Sequence, residues 1–234
     1  MPDYLNMIAS LGIAGAHPGG LQLTKQILSE MDLSYPSRIL DAGCGTGQTL
    51  SYLSRLGYET AGVDADPRMV KKAMNRLSGE SIPVKEGKLE LLPFQSNEFN
   101  AIFCESILSF TRLTDSLNEC MRVLKAGGTV AAIEVTLEKP ADPEVYREIT
   151  DFYGFQNLQD EEAWINEFKT AGFSKVRSLR AEDFSFVYDE NEPDHEVFMD
   201  ETVAPDVFQT LSKHQEMLQK FGQVLGYRVF LAKK

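Results

Sequence analysis

The stretch that most constrains this chain is Asp41-Ala42-Gly43-Cys44-Gly45-Thr46-Gly47-Gln48, an acid followed by glycines at alternate positions. The apolar pair Ile39-Leu40 leads in as the end of a buried strand would, and the amphipathic run Thr49-Leu50-Ser51-Tyr52-Leu53-Ser54-Arg55-Leu56 leads out as a helix would. A strand, a glycine turn and a helix start together aim backbone N–H groups and the positive end of a helix dipole at a ligand. A side chain in the turn would hold the backbone off that ligand or forbid a positive φ. The stretch therefore predicts an α/β fold with a small-molecule cradle at its first strand-to-helix turn.

The spacing narrows what such a cradle holds. A dinucleotide fingerprint needs glycine or alanine at the sixth position, and counting from Gly43 that position is Gln48. A P-loop needs lysine and then serine or threonine after its last glycine, whereas Gln48-Thr49 follows Gly47. The Asp41 carboxylate, two residues ahead of the first glycine, would repel a pyrophosphate and suits a ligand with an ammonium or sulfonium charge. The next strand ends in Thr60-Ala61-Gly62-Val63-Asp64, which puts a second acid where doubly wound folds grip ribose hydroxyls.

With Asp64 closing that strand, the Asp-x-Gly-x-Gly-x-Gly loop resembles the class I S-adenosylmethionine-dependent methyltransferases, small-molecule branch. The resemblance is close from Arg38 to Val135. Gly87-Lys88-Leu89-Glu90-Leu91-Leu92-Pro93-Phe94 is similar to the family segment after strand three, and Val123-Leu124-Lys125-Ala126-Gly127-Gly128 to its turn before strand five. Two positions depart from the pattern: Lys88 stands where the family usually has an acid for the adenine amino group, and Asn100 where aspartate is commoner.

The resemblance implies a Rossmann-like seven-stranded methyltransferase sheet, mostly parallel, with helices on both faces. Its last strand would insert antiparallel between the fifth and the sixth. It implies one methyltransferase domain over 1–234, with 1–35 as an N-terminal helical cap and substrate-side additions within 136–222. S-adenosylmethionine is the implied cofactor and S-adenosylhomocysteine the product, with a small molecule as methyl acceptor. The implied cofactor residues are Asp41, Gly43, Cys44, Gly45, Gly47, Asp64, Ala65, Lys88, Leu89 and Cys104. The glycines would bring backbone against the methionine part, and Asp64 would accept from the ribose hydroxyls. Backbone near Leu89 would take the adenine, and the Cys104 carbonyl the ammonium group. Glu105 and His17 are the candidate catalytic residues, Glu105 as a general base at the carboxyl edge of strand four and His17 from the loop His17-Pro18-Gly19-Gly20.

Composition excludes other classes. With 23 Lys+Arg against 35 Asp+Glu the net charge is -12, which repels polyanions, so neither nucleic acid nor an anionic membrane is the expected partner. The cysteines Cys44, Cys104 and Cys120 have neither disulfide-framework nor zinc spacing, and the three histidines, His17, His195 and His214, form no metal-ligand pair. No signal-peptide pattern or bilayer-length apolar run is present, so a cytoplasmic protein is expected.

Downstream of the loop, strand-like and helix-like segments alternate as in βαβ units. Strands are predicted at 38–41, 59–64, 82–86, 99–104, 129–135, 173–179 and 227–231. Helices are predicted at 49–56, 67–77, 114–124, after Asp142-Pro143, at 161–171 and over 207–221, with a short helix and a longer one ahead of strand one. Asp189-Glu190-Asn191-Glu192-Pro193-Asp194 reads as a solvent loop, and His195 and His214 as surface residues. Phe110, Tyr153, Phe184, Phe186 and Phe198 either line an acceptor pocket or pack in the core. Two other functions fit parts of this pattern, an NAD-dependent oxidoreductase and a non-catalytic S-adenosylmethionine-binding regulator.

Overall fold

The alternation of strands and helices is realised as one seven-stranded sheet in the computed structural model, which describes residues 2–184 and 196–234. Helices α1 (Asp3–Leu11) and α2 (Gly20–Glu30) precede β1 (Arg38–Ala42). There follow α3 (Gln48–Arg55), β2 (Glu59–Asp64), α4 (Pro67–Arg76), β3 (Val84–Glu86), β4 (Phe99–Glu105), α5 (Leu113–Val123) and β5 (Leu124–Leu137). The C-terminal third adds α6 (Pro143–Tyr153), α7 (Glu161–Thr170), β6 (Lys175–Leu179), α8 (Pro205–Phe221) and β7 (Leu225–Lys233). The strand order is β3-β2-β1-β4-β5-β7-β6. Strands β1 to β5 pair in parallel, and β7 lies antiparallel between β5 and β6, the arrangement the resemblance implies.

The strand boundaries that differ from expectation have local causes. Strand β3 starts at Val84 because Pro83 has no N–H to give, and only its carbonyl serves the ladder, accepting from the Gly62 N–H. Strand β6 starts at Lys175 because the Phe173 N–H turns back to the Phe168 carbonyl at the end of α7. Strand β7 is longer than expected because β5 pairs with it all the way from Leu225 to Lys233.

Alternate residues of each strand enter opposite cores. Ile39, Ala101, Phe103, Ile133 and Val229 pack with Leu23 and Ile27 of α2 and Leu53 of α3. Leu40, Ile102, Cys104, Val130 and Phe230 pack on the other face with Leu117 of α5 and Trp164 and Phe168 of α7. Burying a side chain of that size contributes about 1.5–3 kcal/mol, so both helical layers are firmly held. Helices α1, α6 and α8 make a smaller assembly, in which Met7 and Leu11 meet Val207, and Ile149 and Tyr153 meet Met217 and Phe221. Phe186, His195 and the acidic run Asp189-Glu190-Asn191-Glu192-Pro193-Asp194 lie outside the described residues.

Candidate active site

The glycine turn leaves the carboxyl end of β1 at the middle of the sheet, between β2 and β4. Gly43 has φ +81°, and a Cβ built there would stand 3.0 Å from the Ile107 side chain, so this turn admits only glycine without strain. Gly45 has φ +51°, and a Cβ there would meet nothing nearer than the Met69 methyl at 3.9 Å, so the backbone at Gly45 faces open space. The Gly43 and Cys44 N–H groups both donate to the Val63 carbonyl, at 2.8 and 3.0 Å, which ties the turn to β2.

Three carboxylates converge on this turn. Asp41 is 2 % exposed, and its Oδ2 is buried with no hydrogen-bond partner. Burial first, then the neighbouring Glu105 and Asp64 charges, push its carboxyl well above the usual range. Asp64 accepts from the Gly45 N–H at 2.9 Å and the Asp66 N–H at 2.9 Å. Burial raises it too, partly offset by those N–H groups. Asp66 caps α4 by accepting from the Arg68 N–H at 2.8 Å.

Glu105 ends β4 beside Asp41. The Thr24 hydroxyl donates to Oε1 at 2.5 Å and the Thr49 hydroxyl to Oε2 at 2.8 Å, so the carboxylate joins α2 to α3. His17 is 9 % exposed, and its Nε2 lies 3.5 Å from Glu105 Oε2 without a hydrogen bond. The loop carrying His17 therefore packs against the glycine turn and is not the exposed loop that its proline and glycines also allow.

A family model described as a methyltransferase domain matches residues 40–132. An uncharacterized methyltransferase of Bacillus subtilis, YodH, is 42% identical over 238 residues, covering 100% of both chains. The chain belongs to the methyltransferase family. It is a class I S-adenosylmethionine-dependent methyltransferase. The phosphoethanolamine N-methyltransferase of Plasmodium falciparum is 30% identical over 64% of this chain and 51% of its own. Phosphoethanolamine N-methyltransferase 2 of Haemonchus contortus, solved with S-adenosyl-L-methionine, superposes with a TM-score of 0.75 at 18% identity, over 99% of this chain and 56% of that one. This methyltransferase thus spans about half the length of those two proteins.

The residues around the turn fit S-adenosylmethionine. An unpartnered buried carboxylate oxygen suits the positive charge of that cofactor, and the backbone at Gly45 leaves room for it. The oxidoreductase reading finds no support: three carboxylates around the turn disfavour a pyrophosphate.

The other residues expected at the site divide into two groups. Cys44 and Cys104 are buried, and their thiols are pushed well above the usual range, Cys44 mainly by burial and Cys104 by its hydrogen bond with Cys120 and by burial, so both are inert. Ala65 and the Lys88 side chain are exposed, while Leu89 is buried and the Lys88 carbonyl accepts from the Leu91 N–H at 3.1 Å. Phe110 and Tyr153 are brought together: Phe110 stacks with Tyr4 at 6.4 Å between ring centroids, and Tyr4 meets Tyr153 edge-on at 4.9 Å. Phe184 packs instead against the core beneath α2, and Phe198 covers the Arg76 guanidinium at 4.6 Å. His214 is half-buried, with Nδ1 3.1 Å from the Tyr153 hydroxyl, and is not the surface residue expected; α8 turns it towards Tyr4 and Tyr153, where burial lowers its basicity.

Sequence reasoning missed Thr24, Thr49 and Glu134. Nothing distinguishes the threonines from other helix residues. Glu134 had a signal, a lone acid inside the apolar run Val130-Ala131-Ala132-Ile133-Glu134-Val135 of a strand buried on both faces.

Proposed function

We propose that this methyltransferase acts on a small molecule and that its cofactor seat is the glycine turn with its carboxylates. The buried, unpartnered oxygen of Asp41 carries this reading. In the seat, Gly43, Cys44, Gly45 and Gly47 supply close backbone for the methionine part, and Asp41 faces its positive charge. Asp64 accepts from the Gly45 and Asp66 N–H groups, and as a carboxylate with acceptors on both oxygens it can also accept from ribose hydroxyls beside Ala65. The backbone at Lys88 and Leu89 flanks the adenine, and the Cys104 carbonyl takes the ammonium group.

The bound cofactor supplies a sulfonium methyl that is already electrophilic, so the protein chiefly aligns the acceptor and excludes water. Residues 1–35 act as a cap and parts of 136–222 as the acceptor side. Gly15 approaches Gln48 closely enough that a Cβ would meet its Oε1 at 2.9 Å, and His17 reaches Glu105, contacts that support a cap over the turn. His17 and Glu105 are the groups that would receive a proton from the acceptor; Glu105, already accepting from two hydroxyls, works through His17. Phe110, Tyr153 and Tyr4 form the apolar wall. A net charge of -12 agrees with a small acceptor and not a polyanion. The relative from P. falciparum, named for phosphoethanolamine, agrees with that too.

The test is S-adenosylhomocysteine formation with fractionated pools of small metabolites, protein and RNA. Turnover confined to the small-metabolite pool is expected. Turnover confined to protein or RNA would overturn the acceptor class and leave the cofactor seat standing.

A further inference from the structure

The chain leaves β4 in an unusual way. Ser106, directly after Glu105, has φ +55°, a left-handed conformation that non-glycine residues rarely adopt, and its N–H donates to the Ile133 carbonyl at 2.8 Å. Leu108–Phe110 then form a 3₁₀ turn with Ile107 as its N-cap, and the N–H groups of residues 107–109 have no strand to join. Glu134, on the neighbouring β5 and fully buried, collects them. Its Oε1 accepts from the Ile107 N–H at 3.1 Å and the Leu108 N–H at 2.8 Å. Its Oε2 accepts from the Ser109 N–H at 3.1 Å and the Ser109 hydroxyl at 2.6 Å. One carboxylate thus binds four donors from three successive residues.

The held turn bears on the cofactor seat. Ile107 is the side chain that backs Gly43, the first glycine of the cradle, and Phe110 at the far end stacks on Tyr4. We propose that Glu134 is a positioning residue for the cofactor: as a carboxylate it locks residues 107–109 and so presses Ile107 against the glycine turn. The inference rests on the cofactor seat proposed above. It also explains the buried acid, because a charge in a dry site is retained only where donors compensate it.

The two protonation states differ in what they can hold. The ionised group offers acceptors on both oxygens, whereas the protonated group, like glutamine, offers them on one side and a donor on the other. Burial raises Glu134 to about 7, against the lowering effect of Ser109, Leu108 and Ile107, so the lock titrates near neutrality. The groups facing it from neighbouring elements are Cys104 on β4 with Cys120 on α5, and Arg228 across the ladder on β7. Arg228 is engaged by Glu138 at 2.7 Å and Glu161 at 2.9 Å.

The experiment is calorimetric titration of S-adenosylhomocysteine from pH 5.5 to 8.5, with wild type, Glu134→Gln and Ser109→Ala. Glu134→Gln is expected to bind roughly ten-fold more weakly than wild type at the alkaline end, the size of a lost charged hydrogen bond, and nearly as well at the acid end, where the wild-type side chain is uncharged too and also presents a donor to the turn. The other groups of the seat are the same in both proteins, so the ratio isolates Glu134. Equal affinities throughout, or a ratio independent of pH, would overturn the proposal and leave Glu134 as a support of the fold. If Glu134→Gln does not fold, Ser109→Ala decides: losing one donor keeps Glu134 protonated to higher pH, so its affinity falls below that of wild type around neutrality, and a pH-independent ratio there overturns the proposal. Failure of the wild type to bind at any pH would instead overturn the seat itself, and the inference with it.

Discussion

Asp64 is the residue whose role a single substitution tests most simply. Its carboxylate stands at the end of β2, with acceptors on both oxygens, beside the Gly45 turn, so Asp64→Ala is expected to weaken S-adenosylmethionine binding by roughly 1.5–3 kcal/mol. An unchanged dissociation constant would remove Asp64 from the seat. Glu134 makes a separate prediction about stability. Folding raises its carboxyl from 4.5 to about 7 by burial. Below pH 4.5 folded and unfolded chains both carry the proton, and its contribution is full. As pH rises the unfolded chain ionises first, so stability is lost, by about 3 kcal/mol in all, until the folded group ionises near 7. Urea unfolding of wild type minus Glu134→Gln should therefore decline across that window, and a pH-independent difference would contradict the assignment. The acids of the cradle were legible because their spacing from glycines is a pattern along the chain. Glu134 was not assigned a role, because its partners lie on another strand's exit and only the fold brings them together.

At the scale of elements, a strap formed by residues 196–200 fastens the end of α1 to α4. Its backbone runs along the end of α1: the Ala14 N–H donates to the Glu196 carbonyl at 2.9 Å, Phe198 to Gly12 at 3.0 Å and Asp200 to Ser10 at 2.9 Å. Helix α4 presents Arg68, Lys72 and Arg76 one turn apart to the strap's acids, Lys72 and Arg68 to Asp200 and Arg76 to Glu196 at 2.5 Å. Arg76 also donates to the Thr46 carbonyl at 2.9 Å, so strap and glycine turn share a fastening. Asp200→Asn should cost about 1 kcal/mol, an ion pair that is only partly screened. It should also speed amide hydrogen exchange at Ala14 and Phe198, and unchanged exchange at both would show that the strap does not depend on this pair. The helices and strands themselves were readable from periodicity, down to Pro67 in the first turn of α4. The strap was not, because residues 196–200 have neither helical nor alternating pattern, and their place depends on charges carried by α4. His214 was misread for a related reason: a polar residue on an amphipathic helix looks exposed until a second layer, here α1 and α6, covers that face.

For the whole molecule, the sheet order places the glycine turn and the exit of β4 side by side at the carboxyl ends of interior strands, in a chain whose net charge is -12. A cofactor bearing positive charge is favoured by that overall charge. Because it binds only the folded chain, S-adenosylmethionine at a hundred times its dissociation constant should add about 2.7 kcal/mol to stability, read as a rise in Tm, whereas NAD should leave Tm unchanged. Stabilisation by NAD alone would contradict the reading of the loop. The central claim is that the orphaned carboxylate of Asp41 faces the positive end of the cofactor. Asp41→Asn keeps the shape and removes the group that ionises against the cofactor's positive charge; burial already favours the uncharged form, so the protein should remain folded. The most direct measurement is therefore calorimetric titration of wild type and Asp41→Asn with S-adenosylmethionine. Binding at least about ten-fold weaker is expected in the variant, the effect of losing one charged contact in a dry site, and equal dissociation constants would show that Asp41 does not face the cofactor's charge.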